Sequence, residues 1–314
     1  MRERLADGLY VFNKPVGISS AGFLNGIKKQ FSVSKIGHGG TLDPFASGVL
    51  VVGIGRKYTA RLESMLKEAE KAYDVSIVLG ARSSTDDCTG DIETNACVAP
   101  PSRAAIERAV AEVAGRKQQV PPRYAAIKIN GTPAYAHARA GRAVASLAPR
   151  PVVVRECVLR DTRQAADGRV RADVELVVSP GFYVRSFARD VGELLGTGGY
   201  AETLERTRVG DFTVARALAL EDVLREVEMR TVIRGAVQGI GFRAFVTKVA
   251  HERGIFGWVR NLPDGSVECV AQGGYGTLCD FAAHIHKKHP YARITEMQIL
   301  FGKIIDAGSA FEIV

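Results

Sequence analysis

Apolar residues in the first part of the chain form two strand-length runs, at 9–12 and 49–54. Between them, apolar side chains recur at helical spacing behind a serine N-cap, Ser19 or Ser20, which predicts a helix. Residues 36–48 are rich in glycine and break this periodicity before the second run begins. A loop of this kind between regular elements often carries functional side chains.

The middle of the chain has the pattern of longer strands with helices between them. Residues 71–79 alternate apolar and polar side chains, and Tyr73 lies on the apolar face, which predicts that it is buried. The later patterns are a helix capped by Ser102 and ending at Gly115, a strand over 124–129 with an Asn130-Gly131 turn, a hairpin of 151–159 and 169–178 turning at Asp167-Gly168, and a helix over 184–195.

The pattern changes near Met229, where the predicted elements become shorter and more closely spaced. A charged stretch over 220–228 predicts a helix just before this point. Beyond it the predicted order is strand, helix, strand, strand, helix, strand, over 231–233, 242–253, 257–261, 266–271, 278–288 and 294–300. This β-α-β-β-α-β order is that of a ferredoxin-like fold. We therefore predict an α+β protein with two domains, residues 1–228 and 229–314.

The composition is that of a globular protein without a strong charge bias. A chain of 314 residues with 46% hydrophobic and 24% charged residues can bury a substantial core. Lysine and arginine number 42 against 34 acidic residues, so the net charge of +8 favours an anionic partner only weakly. Charge alone therefore gives little support for RNA binding.

Cysteine spacing and hydropathy argue against several classes of protein. The five cysteines are far apart and form no CxxC or Cys/His ligand spacing, so we predict neither a metal site nor a disulfide framework. The first residues contain no apolar signal-peptide core, and no segment reaches the length that spans a bilayer. We expect a soluble, cytoplasmic protein with reduced thiols and no contact with membranes.

Five segments between residues 8 and 215 carry recognisable motifs. In order they are FNKPVGISS (12–20), GHGGTLDPFASGVLVV (37–52), EKAYDVSIVLGARSSTDDCTG (70–90), PPRYAAIKINGTPAY (121–135) and SPGFYVRSFARDVGELLGTGG (179–199). Together they resemble the bacterial TruB family of tRNA pseudouridine synthases. The resemblance implies a mixed-sheet catalytic domain that breaks the glycosidic N–C bond of a uridine and rejoins the base through carbon. This isomerisation needs no cofactor, metal or second substrate.

The resemblance also implies catalytic roles for three residues. Asp43, in GHGGTLDP, matches the central carboxylate, which acts on the ribose as nucleophile or base. Arg185 matches an arginine that pairs with this carboxylate and keeps it ionised and oriented. Tyr73 matches the tyrosine that stacks on the flipped base and is a candidate for proton transfer.

Other matched positions are expected to contact the RNA. Tyr183 and Tyr124 match aromatic positions near the pocket of the family. His38 matches the histidine that takes the place left by the flipped base. Lys14 and Arg206 are candidate contacts for phosphate groups.

Each of these residues has a simpler interpretation when it is taken alone. An aspartate before proline, as at Asp43, is typical of a turn, and a tyrosine on an alternating strand is usually part of a core. Arg185 alone would be a surface arginine at the start of a helix. Residues 83–90 lack an early acid of the family pattern, and residues 180–185 lack a cation and a hydroxyl. These departures predict altered contacts with RNA and intact chemistry.

Two segments in the last part of the chain carry a second resemblance. RGAVQGIGFRAFV (234–246) and GIFGWVRNLPDGSVECVAQG (254–273) resemble acylphosphatase, which implies a ferredoxin-like domain that binds phosphate. A loop with Gly235, Gly239 and Gly241 lets backbone N–H groups converge on an anion at a helix N-terminus. Arg243 matches the phosphate-binding arginine, and Asn261 matches the residue that positions the attacking water. Alone, the first would be a solvent-facing helical arginine and the second a turn residue.

We therefore predict a monomeric, bifunctional enzyme without a cofactor. Its first domain isomerises the T-loop uridine of tRNA, and its second domain hydrolyses acyl phosphates. One alternative is a pseudouridine synthase that acts on another RNA. Another is an RNA-binding chaperone with weak or no turnover, whose C-terminal domain is a non-catalytic ferredoxin-like module that holds RNA. The presence of Asp43, Tyr73 and Arg185 together favours the enzyme.

Overall fold

The computed structural model describes residues 3–94, 99–124, 128–129, 132–133 and 147–314. The helices are α1 Ser20–Gln30, α2 Arg56–Leu66, α3 Arg103–Gly115, α4 Val184–Leu194, α5 Phe242–His251 and α6 Tyr275–Lys288. The strands are β1 Gly8–Lys14, β2 Ile36–Gly39, β3 Ser47–Ile54, β4 Lys71–Leu79, β5 Ala81–Ser83, β6 Ile92–Thr94, β7 Gln118–Gln119, β8 Lys128–Ile129, β9 Thr132–Pro133, β10 Arg150–Pro151, β11 Val154–Gln164, β12 Val170–Val178, β13 Gly199–Val209, β14 Phe212–Thr213, β15 Glu226–Ala236, β16 Phe256–Asn261, β17 Val267–Gly274, β18 Arg293–Gly302 and β19 Phe311–Ile313. Within these described ranges, no helix combines the length and the apolar character needed to cross a membrane.

The chain forms two compact units, each built from separate stretches of sequence. The first unit contains the residues up to Asp43, Gly48–Leu66 and Phe212–Val314. The second unit contains Pro44–Ser47 and Lys67–Asp211. The first unit therefore combines the beginning of the chain with its last third.

The first unit is built on a mixed sheet. β1 is antiparallel to β3, and β2 is also antiparallel to β3. On its other side β1 is parallel to β18, and the sheet continues in the order β15, β17, β16 and β19. α1 begins at its N-cap Ser19, whose side chain accepts a hydrogen bond from the backbone of Gly22 at 3.0 Å. The predicted serine cap is thus confirmed.

The last third of the chain has the predicted ferredoxin-like order. β15, α5, β16, β17, α6 and β18 follow one another as β-α-β-β-α-β, and the four strands pair antiparallel in the order β18, β15, β17, β16. α5 and α6 pack on one face of these strands, where Met229, Ile233 and Val259 are buried. The α+β fold class and this arrangement are confirmed.

The second unit contains an antiparallel sheet in the order β11, β12, β4, β13. The alternation in β12 buries one face, as the sequence predicts: Val170, Ala172, Val174, Leu176 and Val178 are at most 5% exposed. α4 packs on β13 at a close approach of two backbones. A Cβ atom on Gly192 would lie 2.2 Å from the backbone nitrogen of Gly199, so only glycine fits there.

Several elements differ from the sequence predictions. The helix predicted over 220–228 is wrong: a short 3-10 turn, Leu220–Asp222, precedes β15, which begins at Glu226 and runs through Met229 without a break. The sequence pattern did not predict α2, β2, β13 and β19, or the short strands β5, β6, β7, β10 and β14. The strand and turn predicted over 124–131 lie partly outside the described residues, which show β8 paired with β9.

Tertiary contacts explain the wrong helix. The charged residues near the start of β15 suit a helix, but Val227 is fully buried and Glu228 is 7% exposed. The Glu228 carboxylate accepts hydrogen bonds from Arg216 and from the side-chain amide of Gln272. Pairing of β15 with two neighbouring strands therefore overrides the local preference.

Candidate functional site

Asp43 lies in the first unit, on the loop that leaves β2. β2 holds the start of this loop by pairing with β3, with His38 opposite Val52. Gly40 adopts a positive φ of 74°, which turns the chain after the strand. Asp43 itself is half-buried, so its carboxylate is neither fully exposed nor enclosed.

Ser20 fixes the backbone immediately before Asp43. Its hydroxyl oxygen accepts a hydrogen bond from the N–H of Leu42 at 2.8 Å and donates one to the Leu42 carbonyl at 3.1 Å. Ser20 is fully buried, and the Leu42 side chain is 3% exposed. α1 therefore holds the loop after β2 at Leu42, the residue directly before Asp43. The sequence pattern indicates Ser20 only as a possible helix cap, and its contact with Leu42 is visible only in the structure.

Lys14 and His38 also lie in the first unit. Lys14 is fully buried, and its ammonium donates to the carbonyls of Pro15 at 2.8 Å and Ile18 at 2.7 Å. The lysine thus holds the loop between β1 and α1, and its contact with an RNA phosphate stays a prediction. His38 is half-buried on β2, and its proposed place beside the flipped base also stays a prediction.

Tyr73 lies in the second unit, on β4. The tyrosine is 8% exposed, so its predicted burial is confirmed. Its neighbours across the sheet are Leu176 on β12 and Arg206 on β13. Arg206 is 1% exposed. Its contact with a phosphate group stays a prediction.

Arg185 occupies the second position of α4 and is 5% exposed. One nitrogen of its guanidinium lies 3.4 Å from the Asp87 carboxylate and donates to the Thr85 carbonyl at 3.3 Å. The other terminal nitrogen donates to the carbonyl of Tyr124 at 3.3 Å. These contacts fix the guanidinium inside the second unit. Asp43 belongs to the other unit, so its pairing with Arg185 stays a prediction.

Asp87 is the hydrogen-bond acceptor that organises residues 83–90. Its carboxylate accepts from the Thr85 hydroxyl at 2.7 Å, and from the backbone N–H of Thr89 at 2.9 Å and its hydroxyl at 2.5 Å. The residue is 4% exposed. The sequence indicates a lost acid in this segment but does not single out Asp87, although the segment lies inside a matched motif. The hydroxyls that the sequence keeps there hold the carboxylate that pairs with Arg185.

Asp86 connects the same segment to the next turn of α4. It adopts a positive φ of 61°, and its carboxylate lies 3.1 Å from Arg189. Burial raises the pKa of the Asp86 carboxyl, while the charges of Arg189 and Arg185 oppose this rise. Both arginines of α4 are thus held by neighbouring aspartates.

Gln119 fixes the backbone of Tyr183 directly before α4. The Gln119 side chain accepts a hydrogen bond from the Tyr183 N–H at 2.9 Å and donates to its carbonyl at 3.0 Å. Gln119 is 5% exposed, and no sequence signal singled it out. Tyr183 and Tyr124 therefore lie next to the Arg185 network through their backbones, while their contacts with RNA stay predictions.

Replacing Asp87 by alanine is expected to destabilise the second unit. The change removes a carboxylate from beside a buried guanidinium and leaves three donors without their acceptor, at a cost of about 3 kcal/mol or more. Urea unfolding of the purified protein measures the loss, and pseudouridine formation should fall with it. Asp91→Ala, an exposed carboxylate nearby, is the matched control. Equal stability of the two variants would contradict this role of Asp87.

The glycine loop predicted to bind phosphate lies in the first unit, between β15 and α5. Gly235, Gly239 and Gly241 have positive φ values of 129°, 75° and 76°. A Cβ atom on Gly235 would lie 2.0 Å from the carbonyl oxygen of Arg293, so no side chain fits there. Among the described groups, none accepts a hydrogen bond from the backbone N–H groups of residues 238–244. These donors surround the N-terminus of α5, whose first turn contains no acid.

Arg243 and Asn261 flank this loop. Arg243 is half-buried in the first turn of α5 and makes no ion pair or hydrogen bond with another described residue. Asn261 is exposed at the end of β16. The Gln238 side chain joins the loop to the turn after Asn261 by donating to the carbonyls of Leu262 at 3.0 Å and Ser266 at 2.8 Å. This arrangement can hold a tetrahedral anion beside a polar side chain.

Family comparisons match both parts of the chain. The model of the N-terminal domain of TruB family pseudouridylate synthases matches residues 28–184, and that of the C-terminal domain of tRNA pseudouridylate synthase B matches 185–238. The acylphosphatase model matches residues 229–313, so the last two matches overlap in β15. The tRNA pseudouridine synthase B of Arthrobacter sp. (strain FB24) is 39% identical over 233 residues, 74% of this chain and 75% of that protein.

Two solved structures resemble parts of the fold. Acylphosphatase from Bacillus subtilis is 33% identical and covers 28% of this chain and 98% of its own, with a TM-score of 0.28. A chain of an H/ACA RNP bound to a substrate RNA is 20% identical and covers 84% of this chain and 70% of its own, with a TM-score of 0.50. The second likeness concerns the fold alone. Because the TruB matches include the segments of Asp43, Tyr73 and Arg185, and the relative is similar over most of both chains, this protein belongs to the TruB family of tRNA pseudouridine synthases.

Proposed function

We propose that this protein isomerises a uridine in the T-loop of tRNA. The observation that carries the proposal is the similarity to tRNA pseudouridine synthase B over three quarters of the chain, 39% in identity. The T-loop is the target that the resemblance of the GHGGTLDP segment implies. Two of the residues that the resemblance names are held in place within their own units: Ser20 holds the backbone before Asp43 in the first, and Asp87 pairs with Arg185 in the second.

In the proposed reaction, Asp43 acts on the ribose of a flipped uridine. The bond between N1 of the base and the ribose breaks, the base turns, and a bond between its C5 atom and the ribose forms. The proton on C5 is lost and N1 is protonated, so the product is an isomer. Tyr73 stacks on the base, and Arg185 keeps the Asp43 carboxylate ionised.

Tritium release from unmodified tRNA transcripts labelled at C5 of uridine tests the target. We expect release from the wild-type transcript and none from a transcript whose T-loop uridine is replaced by cytidine. A third transcript, with a cytidine at a uridine outside the T-loop, serves as the matched control and should react like the wild type. Equal release from all three transcripts would mean that the enzyme modifies another uridine.

We further propose that residues 229–314 hydrolyse acyl phosphates. The observation that carries this is the loop before α5, where a run of N–H groups and the Arg243 side chain have no other described partner. Water attacks phosphorus, the bond from phosphorus to the acyl oxygen breaks, and the acyl group leaves as a carboxylate. Arg243 and the N–H groups stabilise the charge on the phosphoryl oxygens, and Asn261 orients the water.

A further inference from the structure

The boundary between the two sequence resemblances is not a boundary in the structure. A fused domain ordinarily has its own core and is joined through a linker that few contacts cross. Here residues between Leu5 and Ile54 and residues between Leu218 and Phe311 contribute to one hydrophobic cluster of the first unit. Met229, Ile233 and Phe301 belong to the same cluster as Tyr10 and Ile54.

β18 supplies the strand that pairs with the outer edge of β1. Leu9 pairs with Leu300 and Tyr10 with Phe301 in parallel register. The next part of this edge is paired with Leu218, which accepts from the N–H of Asn13 at 2.9 Å. Without β18, the first half of β1 would present an unpaired edge and apolar side chains to solvent.

Aromatic side chains join the two sequence regions across this pairing. The Tyr10 ring stacks on Phe301 with centroids 4.9 Å apart, and Phe301 also packs against Tyr275 of α6 at 5.2 Å. The hydroxyls of Tyr10 and Tyr275 are hydrogen-bonded at 2.8 Å, and the Tyr275 oxygen accepts from the Ala6 N–H at 2.6 Å. Both rings are at most 5% exposed. Such buried, directional contacts are typical of a single core.

α2 covers the part of β18 that extends beyond β1. The Tyr58 hydroxyl accepts from the N–H of Ile299 at 3.2 Å and donates to the carbonyl of Met297 at 3.4 Å. The ammonium of Lys57 donates to the same carbonyl at 3.0 Å. Residues of the TruB-like region thus satisfy backbone groups on the free edge of the acylphosphatase-like strand.

We propose that residues 229–314 complete the sheet and the core of the pseudouridine synthase, a role separate from any hydrolysis of acyl phosphates. The TruB C-terminal match and the acylphosphatase match overlap in β15, so this strand belongs to both sequence regions. The consequence reaches the Asp43 loop, because β1 ends at Lys14, which holds the loop that leads to Ser20, and Ser20 holds Leu42. Synthase activity therefore depends on the packing of the C-terminal region.

The full-length Phe301→Ala variant tests this dependence. Hydrogen exchange is measured for the amides of β1 and β3 and for those of β15, β16, β17 and β18. In a second measurement, the protein is held at elevated temperature and the half-life of its pseudouridine synthase activity is determined. We expect faster exchange in both sets of strands and a half-life shortened about tenfold or more. Tyr291→Ala, a change of an aromatic residue that is 75% exposed in the same region, should change neither measurement.

The outcome that would overturn the proposal is faster exchange in β15 to β18 while β1, β3 and the synthase half-life remain as in the wild type. That result would make the C-terminal region an independent domain. Unchanged exchange in all strands would also contradict the role given to Phe301. If Phe301→Ala yields no folded protein, Tyr275→Phe removes only the hydroxyl that joins Tyr10 and Ala6. We expect it to shift the same two measurements in the same direction by a smaller factor.

Discussion

Asp43→Ala is expected to abolish pseudouridine formation while tRNA still binds. Without this carboxylate, no group acts on the ribose to cleave the glycosidic bond. In other enzymes, removal of the nucleophile lowers the rate by more than about 10⁴-fold. Single-turnover release of tritium from C5-labelled tRNA measures the chemical step. Binding is expected to stay equal or become slightly tighter, because the change removes a negative charge that repels the phosphates.

Asp43→Asn is the matched variant, since it keeps the size of the side chain and removes only its charge. Both variants should lose turnover equally and should still fold, because Ser20 still holds the backbone at Leu42. Turnover of either variant within about tenfold of the wild type would remove Asp43 from its proposed role. Activity in the asparagine variant alone would mean that the side chain acts by position and not by charge.

Local patterns predicted the elements whose burial follows simple periodicity. β12 buries the face that its alternation indicates, Ser102 and Ser19 cap the helices that follow them, and the ferredoxin-like order of the last third is present. The errors occur where distant pairing decides the structure. Glu226–Ala236 became one strand because it is paired on both sides, and the sequence pattern contains no information about those partners.

The same distinction applies to the candidate sites. Motif resemblance identified Asp43, Tyr73, Arg185 and Arg243 as candidate site residues. The contacts that hold Arg185 and the backbone before Asp43 are visible only in the structure. Ser20 contacts Leu42 across 22 positions, and Arg185 lies next to Thr85 across 100. Short polar side chains such as serine and aspartate are frequent in loops, so no local pattern separates a supporting contact from a turn.

Arg243→Ala is expected to lower the hydrolysis of benzoyl phosphate by about 10²- to 10³-fold, the range seen when one donor to a developing oxyanion is removed. Arg243 is half-buried in the first turn of α5, beside a loop whose N–H groups of residues 238–244 have no other described acceptor. Arg243→Lys keeps the charge but loses the planar fork, so we expect it to recover only part of the rate. Loss of benzoyl phosphate over time measures the hydrolysis.

The pseudouridine activity of Arg243→Ala separates the two roles of the C-terminal region. Packing of β18 on β1 does not involve the Arg243 side chain, so this variant should modify tRNA at the wild-type rate. Lys248→Ala, on the same helix and 74% exposed at its side chain, should leave both reactions unchanged. If Arg243→Ala hydrolyses benzoyl phosphate at the wild-type rate, the proposed role of Arg243 in binding phosphate is wrong. Loss of both reactions would instead mean that the loop before α5 is part of the scaffold that supports Asp43.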